Sequence, residues 1–190
     1  MQPGVPAGDR GTGMTSLSGP GPGPVADPGR TGVEEELRAL SAEYGAAADG
    51  RDGARFAALF VPEGELVVPR FPDPRRPGVT RSGHDELIQV PGALSRYERT
   101  FHRTSDHRYT VGDGVASGEV LCVAHHASAG RPDGHGGPAT PTDTVWFIRY
   151  LDAYRLTGAG WRFARRELHL QWVEVHPIVP GSLPGSPTGS

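Results

Sequence analysis

Apolar residues in the first half of the chain recur at helical spacing. Between residues 33 and 44 they fall every three or four positions, at Val33, Leu37, Leu40 and Tyr44. Thr31 and Glu34 have the spacing of a capping box, and Gly50 provides a signal for the end of a helix. The pattern predicts an amphipathic helix over about residues 31–49.

Shorter elements follow this first helix. Asp52 is placed to cap a second helix, whose apolar residues are Phe56, Leu59 and Phe60. Residues 64–70 have the composition of a strand, and the proline-rich residues 69–78 that of a loop. Residues 85–94 predict a third helix, interrupted near Pro91.

The second half of the chain changes to strand-like patterns. Four long strands are predicted, at residues 100–111, 115–128, 144–157 and 161–175. Gly112-Asp113 joins the first two and Gly158-Ala159 the last two, and glycine in the first position suits a type II′ hairpin turn. Helices followed by two long hairpins predict an α+β fold with a curved antiparallel sheet. Residues 128–143 are expected to form a flexible, glycine-rich loop between the hairpins.

The first hairpin predicts which histidines share a face. A two-residue loop at Gly112-Asp113 pairs His102 with Val123 and puts His125 on the same face as His102, about 7–8 Å away. His126 then points to the other face. A three-residue loop would exchange His125 and His126, so this assignment depends on the turn.

The second hairpin gathers aromatic residues. A Gly158-Ala159 loop pairs Asp152 with Arg165 and Tyr150 with Glu167. One face then carries Trp146, Ile148, Tyr150, Asp152 and Tyr154, opposite Trp161 and Phe163. Such a face suits the wall of a small-molecule pocket, or equally a sheet packed on helices. Asp152 and Arg165 have the placement of a cross-strand ion pair.

Composition limits both the domain and its function. Residues 1–32 and 177–190 are rich in glycine and proline and are expected to be disordered tails, which leaves residues 33–176 as one domain. The net charge is −3, and the 19 basic residues, all arginine, form no stripe for nucleic acid. Cys122 is the single cysteine, and no segment is apolar enough to act as a leader or to span a membrane. We therefore expect a cytoplasmic protein with no nucleic-acid or membrane partner.

Five short motifs resemble a known superfamily in both content and order. They are Tyr44-Gly-Ala-Ala-Ala-Asp49-Gly-Arg-Asp52 with Phe56-Ala-Ala-Leu-Phe60, Thr100-Phe-His102, Cys122-Val-Ala-His125-His126, Tyr150-Leu-Asp152-Ala-Tyr-Arg, and Gly160-Trp-Arg-Phe163. Residues 33–175 thereby resemble the SnoaL-like, nuclear transport factor 2-like superfamily. The resemblance implies a cone-shaped fold around one small-molecule pocket, and a homo-oligomer, a dimer or a trimer.

Within that superfamily the catalytic pattern is most similar to that of scytalone dehydratase. Asp49, His102 and His125 match its catalytic positions, and an aspartate–histidine pair also serves hexachlorocyclohexane dehydrochlorinase. The resemblance therefore implies elimination chemistry. The chain departs from the pattern at Ala48 and Val68, which occupy the positions of two substrate-polarising tyrosines and cannot donate a hydrogen bond. Scytalone is therefore not the expected substrate.

The resemblance assigns a role to each of these residues. His102 is the expected base, because the ordinary histidine pKa of about 6.5 suits proton abstraction near neutral pH. Asp49 would orient its ring, and His125 would donate to the leaving group or to an enolate. The residues expected to bind the substrate are Tyr44, Val68, Val123, Trp146, Ile148, Tyr150, Asp152 and Phe163. We expect no metal, because no His-Glu-x-x-His or Cys-x-x-Cys motif is present. We also expect no cofactor.

Less specific interpretations remain open at this point. Asp49 could instead bind backbone amides at the junction of two helices, and the histidines could be structural. The leading hypothesis is a cofactor-independent lyase, of the dehydratase type, that acts on a small cyclic or polyketide-like metabolite. An isomerase or a cyclase would use the same base and oxyanion donor. A binding or association module is the non-catalytic alternative.

Overall fold

Helices and strands follow one another along the chain as the hydrophobic pattern predicts, with small differences in their bounds. The computed structural model describes residues 28–70, 78–129 and 140–179. The helices are α1 (Pro28–Asp49), α2 (Gly53–Ala57) and α3 (Gly83–Leu87), and a 3-10 turn spans Pro91–Arg96. The strands are β1 (Phe60–Val68), β2 (Val79–Ser82), β3 (Arg99–Val111), β4 (Val115–Ser128), β5 (Thr142–Thr157) and β6 (Gly160–Pro177).

Helix α1 covers the concave side of the sheet. Its buried face carries Leu37, Leu40, Tyr44, Ala47 and Ala48, at the spacing expected of one side of a helix. The helix begins at Pro28, so its first residues come from the segment assigned to the N-terminal tail. The predicted tails and loops at residues 1–27, 71–77, 130–139 and 180–190 lie outside the described residues. None of the helices in the described ranges is long and apolar enough to cross a bilayer.

The short elements after α1 differ more from their predictions. Asp52 caps α2 as predicted, accepting a hydrogen bond of 3.0 Å from the backbone N–H of Arg55. Leu59 and Phe60 lie beyond that helix, and β1 begins at Phe60, four residues earlier than expected. The third predicted helix is divided into α3 and the 3-10 turn, because Pro91 cannot continue an α-helical ladder.

The six strands form one open sheet in the order β2-β1-β6-β5-β4-β3. The four predicted long strands are confirmed as β3 to β6. Neighbouring strands are antiparallel except for β1, which runs parallel to β6, so the sheet is mixed. This parallel pair joins residues about a hundred positions apart, for which hairpin spacing holds no signal. The α+β class is confirmed, with the helices on the concave face of a curved sheet.

The register of the first hairpin differs from its prediction. The chain turns at Asp113 and Gly114, where Gly114 has φ 70°, one residue later than expected. Strand β3 also contains a bulge between Ser105 and Arg108, with Asp106 at φ 49°. An extra residue in one strand exchanges the faces of all residues beyond it.

The consequence falls on the histidines of β4. His102 pairs with Ala124 rather than Val123, and His126 rather than His125 shares its face. The predicted placement of His125 is therefore wrong.

The turn of the second hairpin is confirmed. Thr157 pairs with Gly160 around a Gly158-Ala159 loop, as the sequence predicts. A bulge between Ala153 and Tyr154 then shifts the register by one residue. Asp152 consequently lies opposite Arg166 instead of Arg165, and Tyr150 lies opposite Leu168 instead of Glu167.

Candidate functional site

The end of α1 and the start of β3 bring Asp49 against His102. The Asp49 Oδ1 atom lies 2.7 Å from the His102 Nδ1 atom. Close packing of the two elements requires Gly45, since a Cβ atom there would lie 3.2 Å from both the Cβ and the carbonyl oxygen of His102. A glycine one helical turn before the aspartate therefore allows the contact.

The Asp49 carboxylate is held on both oxygens. Its Oδ2 atom accepts the backbone N–H of His102 at 2.8 Å, and its Oδ1 atom also accepts the Thr100 hydroxyl at 2.8 Å. Burial raises the pKa of Asp49, but these hydrogen bonds and the attraction of His102 outweigh it, so the net pKa lies below its ordinary value. Asp49 is thus an ionised, fixed acceptor at neutral pH.

An ionised acceptor at Nδ1 sets the tautomer of His102. The Nδ1 atom carries the proton donated to Asp49, so Nε2 carries the lone pair. The His102 side chain is only 9% exposed and lines a cavity between the helices and the concave face of the sheet. The arrangement presents a basic ring nitrogen to an enclosed, largely apolar space.

The cavity has a volume of about 380 Å³ and three kinds of wall. Its apolar wall includes Ala48, Phe56, Leu66, Val68, Ile148 and Leu168. Its polar groups include the side chains of His102, His126, Tyr44 and Tyr150. Its rim is charged and exposed, with Arg81, Asp85, Glu86 and Arg96. The volume and the apolar lining suit a compact organic molecule with few polar groups.

Five of the eight residues predicted to bind substrate line this cavity. They are Tyr44, Val68, Trp146, Ile148 and Tyr150. The other three lie elsewhere: Val123 faces the convex side of the sheet, Phe163 is in the solid core, and Asp152 is buried in an ion pair with Arg166. For Val123 and Asp152 the shifted hairpin registers account for the difference.

His125 lies outside the cavity. Its side chain is 44% exposed on the convex face, and its Nδ1 atom lies 2.6 Å from Oδ2 of Asp143. His126 occupies the place predicted for His125, with its ring 5.7 Å from that of His102 and 4.6 Å from that of Trp146.

The surroundings of His126 keep its ring neutral. Burial lowers the pKa of His126 to about 4, although the hydrogen bond to the Thr144 carbonyl opposes the shift. Its Nδ1 atom lies 3.1 Å from that carbonyl oxygen and donates to it. The Nε2 atom is therefore an acceptor, which excludes His126 as a proton donor through this atom at neutral pH.

Two phenol groups complete the polar lining. Burial raises the pKa of Tyr44 and of Tyr150 well above the ordinary value, so both keep their proton and can donate hydrogen bonds. The Arg166 guanidinium lies behind them, 4.4 Å from the ring centre of Tyr44 and 4.1 Å from that of Tyr150. Tyr109 lies outside this cavity and contacts His107, with 2.8 Å between its hydroxyl and the His107 Nδ1 atom.

Sequence reasoning missed four residues that shape this site. His126 was assigned to the wrong face, Thr100 was noted only as part of a motif, and neither Arg51 nor Arg166 was singled out. Arg166 follows Arg165, so nothing local distinguishes the buried arginine from the half-exposed one. In the part of the chain that the structure describes, no three His, Cys, Asp or Glu side chains are grouped to hold a metal ion.

Comparison with known proteins places this geometry in a family. The family model described as a SnoaL-like domain matches residues 30–167. No curated protein matches the chain significantly. A nuclear transport factor 2-like protein from Novosphingobium aromaticivorans, described as having a cystatin-like fold, is 26% identical, with a TM-score of 0.53 over 75% of this chain and 84% of that one.

Two further solved structures share the fold at lower identity. A scytalone dehydratase-like protein from Novosphingobium aromaticivorans is 18% identical, with a TM-score of 0.61 over 83% of this chain and 98% of that one. A hexachlorocyclohexane dehydrochlorinase of type 3 from Novosphingobium barchaimii LL02 is 12% identical, with a TM-score of 0.60 over 83% and 97%. The family match covers most of the chain, and the fold agrees with it: the chain belongs to the SnoaL-like domain family, within the nuclear transport factor 2-like superfamily.

Proposed function

We propose that this protein is a cofactor-independent lyase that removes water from a small cyclic or polyketide-like β-hydroxy ketone. The observation that carries the proposal is the 2.7 Å contact between Asp49 and His102, made where His102 lines an apolar cavity. A histidine oriented by a partly buried carboxylate is an arrangement suited to proton abstraction next to a carbonyl.

His102 is the proposed base. Its Nε2 atom takes the proton from the carbon next to the substrate carbonyl, and the imidazolium so formed is stabilised by Asp49. The depressed pKa of Asp49 supports this role, because the carboxylate stays ionised and the proton stays on the imidazole.

Tyr44 and Tyr150 are the proposed donors to the carbonyl oxygen. Abstraction of the proton leaves negative charge on that oxygen, and hydrogen-bond donors fixed in a site of low polarity stabilise it most effectively. The two phenols take the place of the donors that are missing at Ala48 and Val68. The cation of Arg166 behind both rings favours negative charge near their hydroxyl groups.

The leaving hydroxyl obtains its proton from His102 in this scheme. His126 is neutral and accepts through Nε2, so it can orient the substrate hydroxyl but not protonate it. The enolate forms the carbon–carbon double bond as the carbon–oxygen bond breaks, and the hydroxide that leaves takes the proton from the His102 imidazolium. The products are an unsaturated ketone and water, and the enzyme returns to its starting state.

An isomerase would share the first step. His102 would return the proton to a different carbon, and the substrate would keep its hydroxyl. A pure binding module would use the cavity without any proton transfer. These alternatives differ in the product and in the effect of changing His102.

The test uses two probes and three variants. The β-hydroxy derivative of α-tetralone reports dehydration, because loss of water gives the fluorescent α-naphthol; a β,γ-unsaturated cyclohexenone reports isomerisation by its ultraviolet absorbance. We expect naphthol formation, reduced roughly 10²–10⁴-fold in His102→Gln and reduced also in Asp49→Asn. His169→Gln serves as the control, since that histidine is 47% exposed and lies outside the cavity.

The outcomes separate the three functions. Dehydration that depends on His102 supports the lyase, and conjugation of the cyclohexenone without dehydration indicates the isomerase. If both probes bind by calorimetry but neither reacts faster than in buffer, the catalytic proposal is refuted in favour of a binding module. Equal turnover by His102→Gln and the His169→Gln control would refute the assignment of the base.

A further inference from the structure

The residue that follows the end of helix α1 has a backbone conformation that is unusual for a residue with a side chain. Arg51 has φ 58°, the left-handed conformation that glycine usually adopts after a helix. The backbone N–H of Arg51 donates to Ala48, at 3.2 Å, and that of Asp52 donates to Ala47, at 3.0 Å, the pattern of a Schellman motif. Gly50, the expected stop, does not occupy the left-handed position. A strained arginine where glycine would be relaxed suggests that its side chain has a use.

The Arg51 side chain reaches from this turn to β3. Its Nη1 atom donates to the carbonyl oxygens of Ala48 and Asp49, at 3.1 and 3.0 Å, and to the Thr100 Oγ1 atom at 2.6 Å. Because the Thr100 oxygen accepts from Arg51, its own hydrogen is free to point elsewhere. It points to Oδ1 of Asp49, 2.8 Å away.

These contacts form one continuous chain that converges on Asp49. Arg51 donates to Thr100, Thr100 donates to Asp49, and Asp49 accepts from Nδ1 of His102. The guanidinium can only donate and the ionised carboxylate can only accept, so these two groups fix the direction of all three hydrogen bonds. The chain ends at the ring that we propose as the base.

We propose that Arg51 and Thr100 are positioning residues, which keep the Asp49 carboxylate aimed at Nδ1 of His102. The proposal rests on the proposed function for its catalytic consequence, although its structural part does not. Arg51 and Thr100 are not among the residues that line the cavity, so they act through Asp49 and touch no substrate. The hydrogen bond from Thr100 is one cause of the lowered pKa of Asp49.

The alternative is that Arg51 only caps the carbonyls at the end of α1. In that case its loss would destabilise the helix end without any effect that depends on Thr100. The two roles are separable because Thr100 does not contact those carbonyls, whereas Arg51 contacts both groups.

The test compares variants that leave the backbone unstrained. Thr100→Val keeps the shape and removes the hydroxyl, Thr100→Ser restores it, and Arg51→Gly removes the side chain where glycine favours the backbone. Thr110→Val is the control, since this residue is exposed on the same strand and lies outside the cavity. The first readout needs no substrate: the carboxyl carbon of Asp49 is titrated by ¹³C NMR, and the His102 Nδ1–H proton is followed in the same samples.

The expected result is specific to the chain of hydrogen bonds. In Thr100→Val the pKa of Asp49 rises toward its ordinary value, the Nδ1–H signal exchanges faster, and kcat/KM on the tetralone probe falls roughly tenfold, the effect of losing one hydrogen bond to a charged group. Thr100→Ser and Thr110→Val stay close to wild type. Arg51→Gly raises the pKa of Asp49 by a smaller amount than Thr100→Val does. The double variant loses no more kcat/KM than Thr100→Val alone, because Arg51 acts through Thr100.

Two outcomes would overturn the proposal. One is an Asp49 titration that is unchanged in Thr100→Val; the other is additive losses in the double variant, which would leave Arg51 as a helix cap only. A protein that turns over no probe but shows the expected NMR shifts would refute the proposed function and leave the positioning role intact.

Discussion

The buried ion pair of Asp152 and Arg166 yields a prediction about stability. Both side chains are 0% exposed, and two hydrogen bonds join them, Nε to Oδ1 at 2.8 Å and Nη2 to Oδ2 at 2.7 Å. Tyr154 also donates to the carboxylate, at 2.7 Å, and Arg166 donates to the Ser41 hydroxyl at 3.2 Å. Asp152→Asn keeps the shape of the side chain and removes its charge, so it leaves the guanidinium buried without a counter-charge.

The magnitude follows from the complete burial of both side chains. Removing one partner of a fully buried ion pair typically costs about 3–5 kcal/mol, because the remaining charge keeps its desolvation penalty. The rings of Tyr44, Tyr150 and Phe163 lie 4.1–4.4 Å from the Arg166 guanidinium carbon and offset a part of that penalty. We therefore expect a loss of about 3 kcal/mol of unfolding free energy, and a decrease in Tm of roughly 10 °C.

The assay is urea denaturation followed by far-UV circular dichroism at neutral pH. Arg165→Met is the matched control, because Arg165 pairs with Glu65 and Glu167 at the surface, where such pairs contribute about 0.2–1 kcal/mol. The double variant Asp152→Leu with Arg166→Met removes both charges and should be less destabilised than the sum of the two single changes. The reasoning is refuted if Asp152→Asn costs no more than Arg165→Met.

Four further expectations follow from the geometry. His126→Phe should reduce turnover of the tetralone probe, whereas His125→Ala should not; the reverse result would refute a role for His126 in the cavity. The pKa of His126 is about 4 in the folded protein and about 6.5 in the unfolded chain. Its contribution to stability is therefore present above pH 6.5 and is lost as the pH falls toward 4. Urea midpoints of the wild type should decrease over this range more than those of His126→Phe. Gly45→Ala should cost roughly 1–3 kcal/mol and impair turnover, because the new Cβ would lie 3.2 Å from His102; melting curves with kinetics would detect both losses. A homo-oligomer remains a prediction from the family resemblance, and light scattering should give a multiple of the chain mass. Trp172 is a 52% exposed aromatic residue on the convex face, so Trp172→Glu should reduce the measured mass.

Local sequence signals determined most of the elements. Alternation along residues 100–175 and the turn at Gly158-Ala159 were sufficient to place β3 to β6, because an antiparallel hairpin is encoded by residues close together in the chain. Spacing also revealed α1 and the capping of α2 by Asp52. The parallel contact between β1 and β6 was not predictable in this way, since it depends on packing over a long separation.

The site was only partly determined by the sequence. The motifs carried by Asp49 and His102 indicated a pair, but their 2.7 Å separation depends on the close approach of α1 to β3 at Gly45. His126 lies at the cavity because of a single bulged residue at Asp106, and no local sequence pattern predicts such a bulge.

The same physical cause explains the other differences. A strand has a side-chain period of two, so one extra residue exchanges the two faces, and the bulges near Asp106 and Ala153 each did so. The first replaced His125 by His126, and the second placed Asp152 against Arg166. The sequence determined which residues the sheet contains; the tertiary structure decided which of them face the cavity, because face depends on register and register is set by contacts that are distant along the chain.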